Sequence, residues 1–179
     1  SYAEGQIHQL ANKLETEGFT PGDVTKLAQF SNFLLLKELV NGRAEIIQTK
    51  HVIDCDADPF VPEGWKVEEH KKDGQVEWNS EKIQLFLSEK QQNGKSVEGN
   101  KLRKELKNTS VLNANVLDHL LKNQQLIPEE WKGKFIFFWG TIYRNSDGGL
   151  YVRYLDWVGS RWYWHYRWLG SDFYSDNSA

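Results

Sequence analysis

Apolar positions along this chain change their period twice, and each change marks a new kind of element. Ile7, Leu10, Ala11 and Leu14 recur at the spacing that lays one apolar stripe along a helix, predicting a helix from about Tyr2 to Glu17 that Gly18 ends. Thr20, Pro21 and Asp23 then give a capping residue, a proline where no amide hydrogen is needed, and an acid at the positive end of the next helix. That helix should bury Val24, Leu27, Ala28, Leu34, Leu35 and Leu39, with a break near Ser31 and Asn32, and close at Asn41 and Gly42. Helices joined by so short a link predict an antiparallel helical hairpin.

From Ala44 the pattern loosens. Ile46, Ile47, Val52 and Ile53 suit a strand, and Pro59 and Pro62 make residues 54–64 a connector. Trp65 and Val67 on one side of Asp73-Gly74, with Val76 and Trp78 on the other, predict a small hairpin. Ile83, Phe86 and Leu87 share a face of a helix opened by Asn79 or Ser80 and closed near Asn93-Gly94. Asn100 opens a short helix carrying Leu102 and Leu106, and Asn113 or Asn115 opens another carrying Val116, Leu117, Leu120 and Leu121. Pro128, Glu129 and Glu130 form a last helical turn before Trp131.

In the last quarter the period becomes two. Three strands are expected, Lys134–Tyr143, Leu150–Trp157 and Arg161–Leu169, turned by Asp147-Gly148-Gly149 and by Val158-Gly159-Ser160. The third alternates Trp162, Trp164, Tyr166 and Trp168 with Arg161, Tyr163, His165 and Arg167. The indole set is expected to fill a core and the cationic set to look outward. The second strand splits into Leu150, Val152, Tyr154, Asp156 and Tyr151, Arg153, Leu155, Trp157. A one-residue difference in the turn exchanges which set joins the indoles, so the register stays open. The fold class is α+β: an N-terminal helical hairpin, a central mixed region, and a C-terminal three-stranded antiparallel, aromatic-rich meander. Residues 1–50 form the helical region and 51–179 the α+β region, either separate or continuous in one domain.

Composition narrows the function classes. The 179 residues carry a formal charge of −3, against a broad nucleic-acid footprint. Residues 131–179 hold six of the eight Trp and six of the seven Tyr, and there six Lys or Arg outnumber four Asp. The aromatic part is therefore also the mildly basic part. A single cysteine, Cys55, forms no internal disulfide and points to a reducing, cytoplasmic setting. No apolar run approaches the roughly 20 residues of a spanning helix, and no basic segment leads into an apolar one at the N-terminus.

Several strings resemble small uncharacterised proteins of uncultured bacteria: Trp65-Lys66-Val67-Glu68-Glu69-His70, Gly99-Asn100-Lys101-Leu102, Val111-Leu112-Asn113-Ala114-Asn115, and Ile127-Pro128-Glu129-Glu130-Trp131 leading into Phe137-Phe138-Trp139-Gly140. The likeness runs from about Val52 to the C-terminus. It implies a bacterial origin and a shared fold, and it carries over no activity and no catalytic residue. Those relatives tend to have Asn-Gly at the last turn, where this chain has Val158-Gly159.

Candidate chemistry is sparse. Asp54, Asp56 and Asp58 could offer three carboxylates on one side of an extended segment to a hard cation and support a metal-assisted enzyme; an acidic surface turn reads the same way. Cys55 with His51 could make a thiolate and base, or Cys55 could be a small buried hydrophobe. The helices after Asn100 and Asn113 have the outline of a helix-turn-helix, but the second offers a single cation, Lys122. Arg153, Arg161, Tyr163, His165 and Arg167 are the expected binding face, for a protein partner in the first place and for single-stranded nucleic acid in the second. No cofactor is implied, and a non-enzymatic binding protein is the leading reading.

Overall fold

The computed structural model describes residues 2–31, 33–47 and 49–179. The chain divides into two compact units, Ser1–Thr49 and Lys50–Ala179.

The first unit is helical: α1 (Glu4–Thr16), α2 (Pro21–Ala28) and α3 (Phe33–Val40). The start of α2 forms as its sequence dictates, with Thr20 Oγ1 accepting from the Asp23 amide at 3.2 Å and Asp23 Oδ2 accepting from the Thr20 amide at 3.0 Å. The stretch read as one helix past Val24 is two, and Asn32, half of the expected break, lies outside the described residues. No side chain of these helices is buried. Leu27 and Leu39 are half-buried, whereas Val24, Ala28, Leu34 and Leu35 stay exposed against expectation. Helices of 8 residues offer at most two turns of apolar stripe, too little to enclose a core of their own.

The second unit is built on a mixed sheet. Its strands are β1 (Val52–Asp54), β2 (Lys66–His70), β3 (Gln75–Glu77), β4 (Val97–Glu98), β5 (Phe135–Arg144), β6 (Leu150–Val158), β7 (Arg161–Trp168), β8 (Asp172–Phe173) and β9 (Asn177–Ser178), with helices α4 (Gly99–Glu105) and α5 (Ala114–Lys122). The main sheet runs β2-β5-β6-β7, all antiparallel, and β9 lies parallel to the first residues of β5. The expected meander is therefore present, inside a larger sheet.

Two expectations for the central region are corrected. Trp65–Trp78 does not close on itself as a hairpin: β2 pairs with β5, from Lys66↔Arg144 to His70↔Thr141, and β3 pairs with β1, from Val52↔Glu77 to Asp54↔Gln75. The turn at Gly74 is made, but its carbonyl accepts from the Cys55 amide at 2.9 Å and its amide donates to Asp56 Oδ1 at 2.9 Å, which hands the chain to β1. Likewise Ile83, Phe86 and Leu87 are not helical. Single 3-10 turns occupy Ser80–Lys82 and Glu89–Gln91, and between them Phe86 exchanges both backbone hydrogen bonds with Ala179, at 2.7 and 2.9 Å. An apolar run this short fits period two as well as 3.6, and the C-terminal backbone selected the extended form.

β5 is buried along nearly its whole length because both faces of the sheet are covered. On one face Ile136, Phe138, Leu155 and Trp162 pack with Val116, Leu117 and Leu120 of α5 and with Ile53, Cys55, Ile127 and Trp131. On the other, Phe137, Trp139, Ile142 and Val152 pack with Leu102 of α4, Leu106, Leu169 and Phe173. Helices α4 and α5 thus serve opposite faces of one sheet, and the helix-turn-helix outline is not a unit.

Between Phe137 and Ile142, β5 bulges away from β6. Gly140 sits at that bulge, its amide bonded to the Leu112 carbonyl at 2.8 Å and its carbonyl to the Lys71 amide at 2.7 Å. A Cβ there would lie 2.8–2.9 Å from Asn113, so only glycine admits this approach. Buried Asn113 caps α5 through its side-chain oxygen, and its amide donates to the carbonyls of Cys55 at 2.9 Å and Lys71 at 3.0 Å.

Candidate functional site

The β6–β7 hairpin decides what the aromatic segment presents. Gly159 has φ +65°, and with Ser160 it makes a two-residue turn in which Val158 faces Arg161. From that closure the register runs unbroken: Trp157↔Trp162, Leu155↔Trp164, Arg153↔Tyr166 and Tyr151↔Trp168. Cross-strand partners share a face, so Arg153 belongs with the indoles.

That placement corrects the expectation that Arg153 looks outward. Its residue is 1% exposed, and its guanidinium reaches Asp118 Oδ1 at 2.7 Å and Oδ2 at 3.2 Å in the two-pronged geometry that best offsets burying a charge. It lies 4.3 Å from the Trp164 ring and 5.3 Å from the Phe60 ring, and the stacked cation seals the floor of the indole face. Beside it, burial pushes the Tyr143 phenol up while Arg153 opposes the shift, and that hydroxyl donates to the Phe60 carbonyl at 3.0 Å.

The indole row is buried at one end only. Trp162 lies under α5 and Trp164 is half-buried, but Tyr166 is 50% and Trp168 51% exposed. A helix of 9 residues covers only part of the row. The uncovered end gathers more rings: Trp65 packs on Tyr151 at 4.6 Å and on Tyr166 at 4.8 Å, Tyr151 on Tyr166 at 5.7 Å, and Phe60 on Trp164 at 5.8 Å. Phe60 and Val61 are exposed on the connector. Reading the strand alone missed Trp65 and Phe60; their signal was a Phe flanked by Pro59 and Pro62, and an indole opening a strand.

The opposite face of β7 carries Arg161, Tyr163, His165 and Arg167 together, as the alternation implied. Arg161 Nε donates to Tyr163 Oη at 2.5 Å, and its guanidinium covers that ring at 5.0 Å. The His165 ring lies 5.6 Å from Tyr154. Arg167 donates to the Asp172 carbonyl at 2.6 Å and stacks 5.1 Å from Phe173. Arg43, Arg103, Arg144 and Arg153 each pair with a carboxylate. Among the described residues Arg161 and Arg167 have none, although Asp156 stands opposite the intervening Tyr163.

The other candidates disperse. Asp54 Oδ1 accepts from the Asp56 amide at 3.0 Å and Asp56 Oδ1 serves Gly74, so these carboxylates shape their own loop. Among the described residues no three His, Cys, Asp or Glu groups come close enough to hold a metal, and Asp58 joins no such set. His51 meets His119, with Nδ1 and Nε2 3.2 Å apart. Cys55 is buried, and burial followed by Asp73, Asp54 and Asp56 raises its thiol pKa, the reverse of what a nucleophile needs. A cavity of about 440 Å³ beside Cys55 is lined chiefly by apolar side chains such as Ile83, Leu85 and Val111. Of its polar neighbours, Lys71 is committed to the carbonyls of Leu106, Lys107 and Thr109, and Asn113 to its cap.

Among the described residues no helix is long and apolar enough to cross a membrane. No family model, curated protein or solved structure matches the chain.

Proposed function

We propose that this chain is a non-enzymatic bacterial binding protein that grips a protein partner with the uncovered aromatic end of its sheet. The observation that carries the reading is the half-exposure of Tyr166 and Trp168 beside a ring cluster whose floor is already sealed by the Arg153–Asp118 pair. Large flat side chains on a rigid support lose little entropy when covered, which is why Trp and Tyr dominate interface hot spots. A reducing, cytoplasmic setting suits a protein whose one thiol is buried and unpaired.

Single-stranded nucleic acid fits less well. Stacking bases need open rings next to available cations, yet Arg161 and Arg167, the described arginines without a carboxylate, lie across the sheet from Tyr166 and Trp168, and on their own face Arg161 already covers Tyr163.

The test is a Tyr166→Ala/Trp168→Ala double variant immobilised beside the parent chain in a bacterial extract. Proteins retained by the parent and lost by the variant, with an unchanged thermal midpoint, are the expected result. Equal retention by both overturns the reading, as does a shift of a labelled oligonucleotide at low salt that the double variant leaves intact.

A further inference from the structure

We infer that the outer edge of β7 is a strand-addition site for an extended peptide whose residues alternate between apolar and acidic. The inference rests on the protein-binding reading above and names the chemistry of the partner.

β7 ends the sheet order, so among the described residues one side of its backbone faces no strand. The side chain of Gln124 shows which groups look that way: its Oε1 accepts from the Trp162 amide at 3.0 Å, and its Nε2 donates to the Trp162 carbonyl at 3.1 Å. One side-chain amide thus occupies the place of a peptide group in a neighbouring strand. Backbone directions alternate along a strand, so the amides and carbonyls of Trp164 and Tyr166 point the same way. No described residue bonds to those outward groups.

Sheet edges are ordinarily guarded by bulges, prolines, short length or charged residues on the strand. At the far side of this sheet β2 follows that rule, with 5 residues, a register shift between Val67 and Glu69, and Lys66, Glu68 and Glu69 along it. β7 runs 8 residues in unbroken register with β6 and holds no proline; its charges, Arg161 and Arg167, lie near its two ends, and among the described residues nothing beyond Gln124 guards the outward groups of Trp164 and Tyr166.

The side chains flanking this edge set the partner's sequence. A strand added here places every second residue beside Trp164 and Tyr166, on the aromatic face, and the others beside Arg161, His165 and Arg167. The first set must be apolar. The second is drawn to carboxylate, because Arg161 and Arg167 are the described arginines without one. The same two cations argue against a second copy of β7 as occupant, since antiparallel self-pairing would bring like charges together on one face.

The probe is a capped peptide of about eight residues alternating valine and glutamate, titrated against the full chain at low salt. We expect binding that slows hydrogen exchange at the Trp164 and Tyr166 amides by about tenfold. Methylating the peptide nitrogens that face β7, or replacing its glutamates by lysine, should each weaken binding by about tenfold or more. An Arg161→Gln/Arg167→Gln variant should lose affinity at low salt and differ less from the parent at high salt. Tyr166→Pro should bind more weakly than Tyr166→Ala, because both lose the ring and only proline loses the outward donor. The inference is overturned if the methylated peptide binds as tightly as the unmodified one, or if binding leaves those amides unprotected. It is equally overturned if the chain alone dimerises with protection of the same amides, or if an oligonucleotide binds the two arginines while the peptide does not. The first three of these outcomes leave the Tyr166→Ala/Trp168→Ala comparison untouched, so the edge can fail while the aromatic surface stands; oligonucleotide binding to the arginines would overturn both.

Discussion

Gln124 holds Trp162 by both backbone groups, accepting at 3.0 Å and donating at 3.1 Å, from a turn that directly follows α5. The pair fixes the start of the edge strand to the helix that covers it, which explains why Trp162 is buried although β7 is outermost. Replacing Gln124 by alanine should cost about 1–2 kcal/mol and accelerate exchange of the Trp162 amide, read by denaturant titration and proton exchange. An unchanged exchange rate would mean that β6 alone holds this end.

The Arg153–Asp118 pair should behave as a buried ion pair with one wet partner. Asp118→Ala strands a guanidinium that is 1% exposed and should lower stability by about 3 kcal/mol. An Asp118→Leu/Arg153→Met double variant should recover much of that loss, because neither charge remains to be desolvated. A loss below about 0.5 kcal/mol for the single change would place it among ordinary surface pairs.

Gly140→Ala should be among the most damaging single-methyl additions in the second unit. The new carbon would meet backbone and Cβ of Asn113 at 2.8–2.9 Å, and the Asn113 segment is tied down by its cap and by Cys55 and Lys71. A loss of about 1–3 kcal/mol, measured by chemical denaturation, is expected from overpacking of this kind.

Stability should fall as acid is added through the range of His119. Its pKa is lowered from 6.5 by burial first, then by His51 and Lys122, so the fold favours neutral imidazole. A depressed pKa in the folded state means that this contribution is full above the unfolded value and is lost as pH falls through the folded one. The denaturation midpoint of the parent chain should therefore drop below about pH 6.5, and His119→Gln should flatten that slope. Parallel slopes for the two proteins would place the acid sensitivity elsewhere.

Much of the α+β outline follows from residues acting on their neighbours. Thr20, Pro21 and Asp23 start a helix, Asn113 caps another, and Gly159 turns β6 into β7, because caps and turns are satisfied within a few residues. The period-two alternation of Arg161–Trp168 likewise announced a strand with two chemically different faces. Distance in the chain hid the rest. β2 and β3 look like partners across Asp73-Gly74, yet each bonds to a strand outside that stretch, since pairing is won by whichever backbone is brought alongside. The face on which Arg153 lies hung on one residue of turn length, and the exposure of Tyr166 and Trp168 hung on where α5 stops. Outside the 83–87 run, whose extended form the C-terminal backbone selected, local sequence determined most of which segments extend, coil and turn; only the tertiary structure decided which rings are sheltered, which cation is matched and which edge is left open, because burial is a property of what packs against a residue.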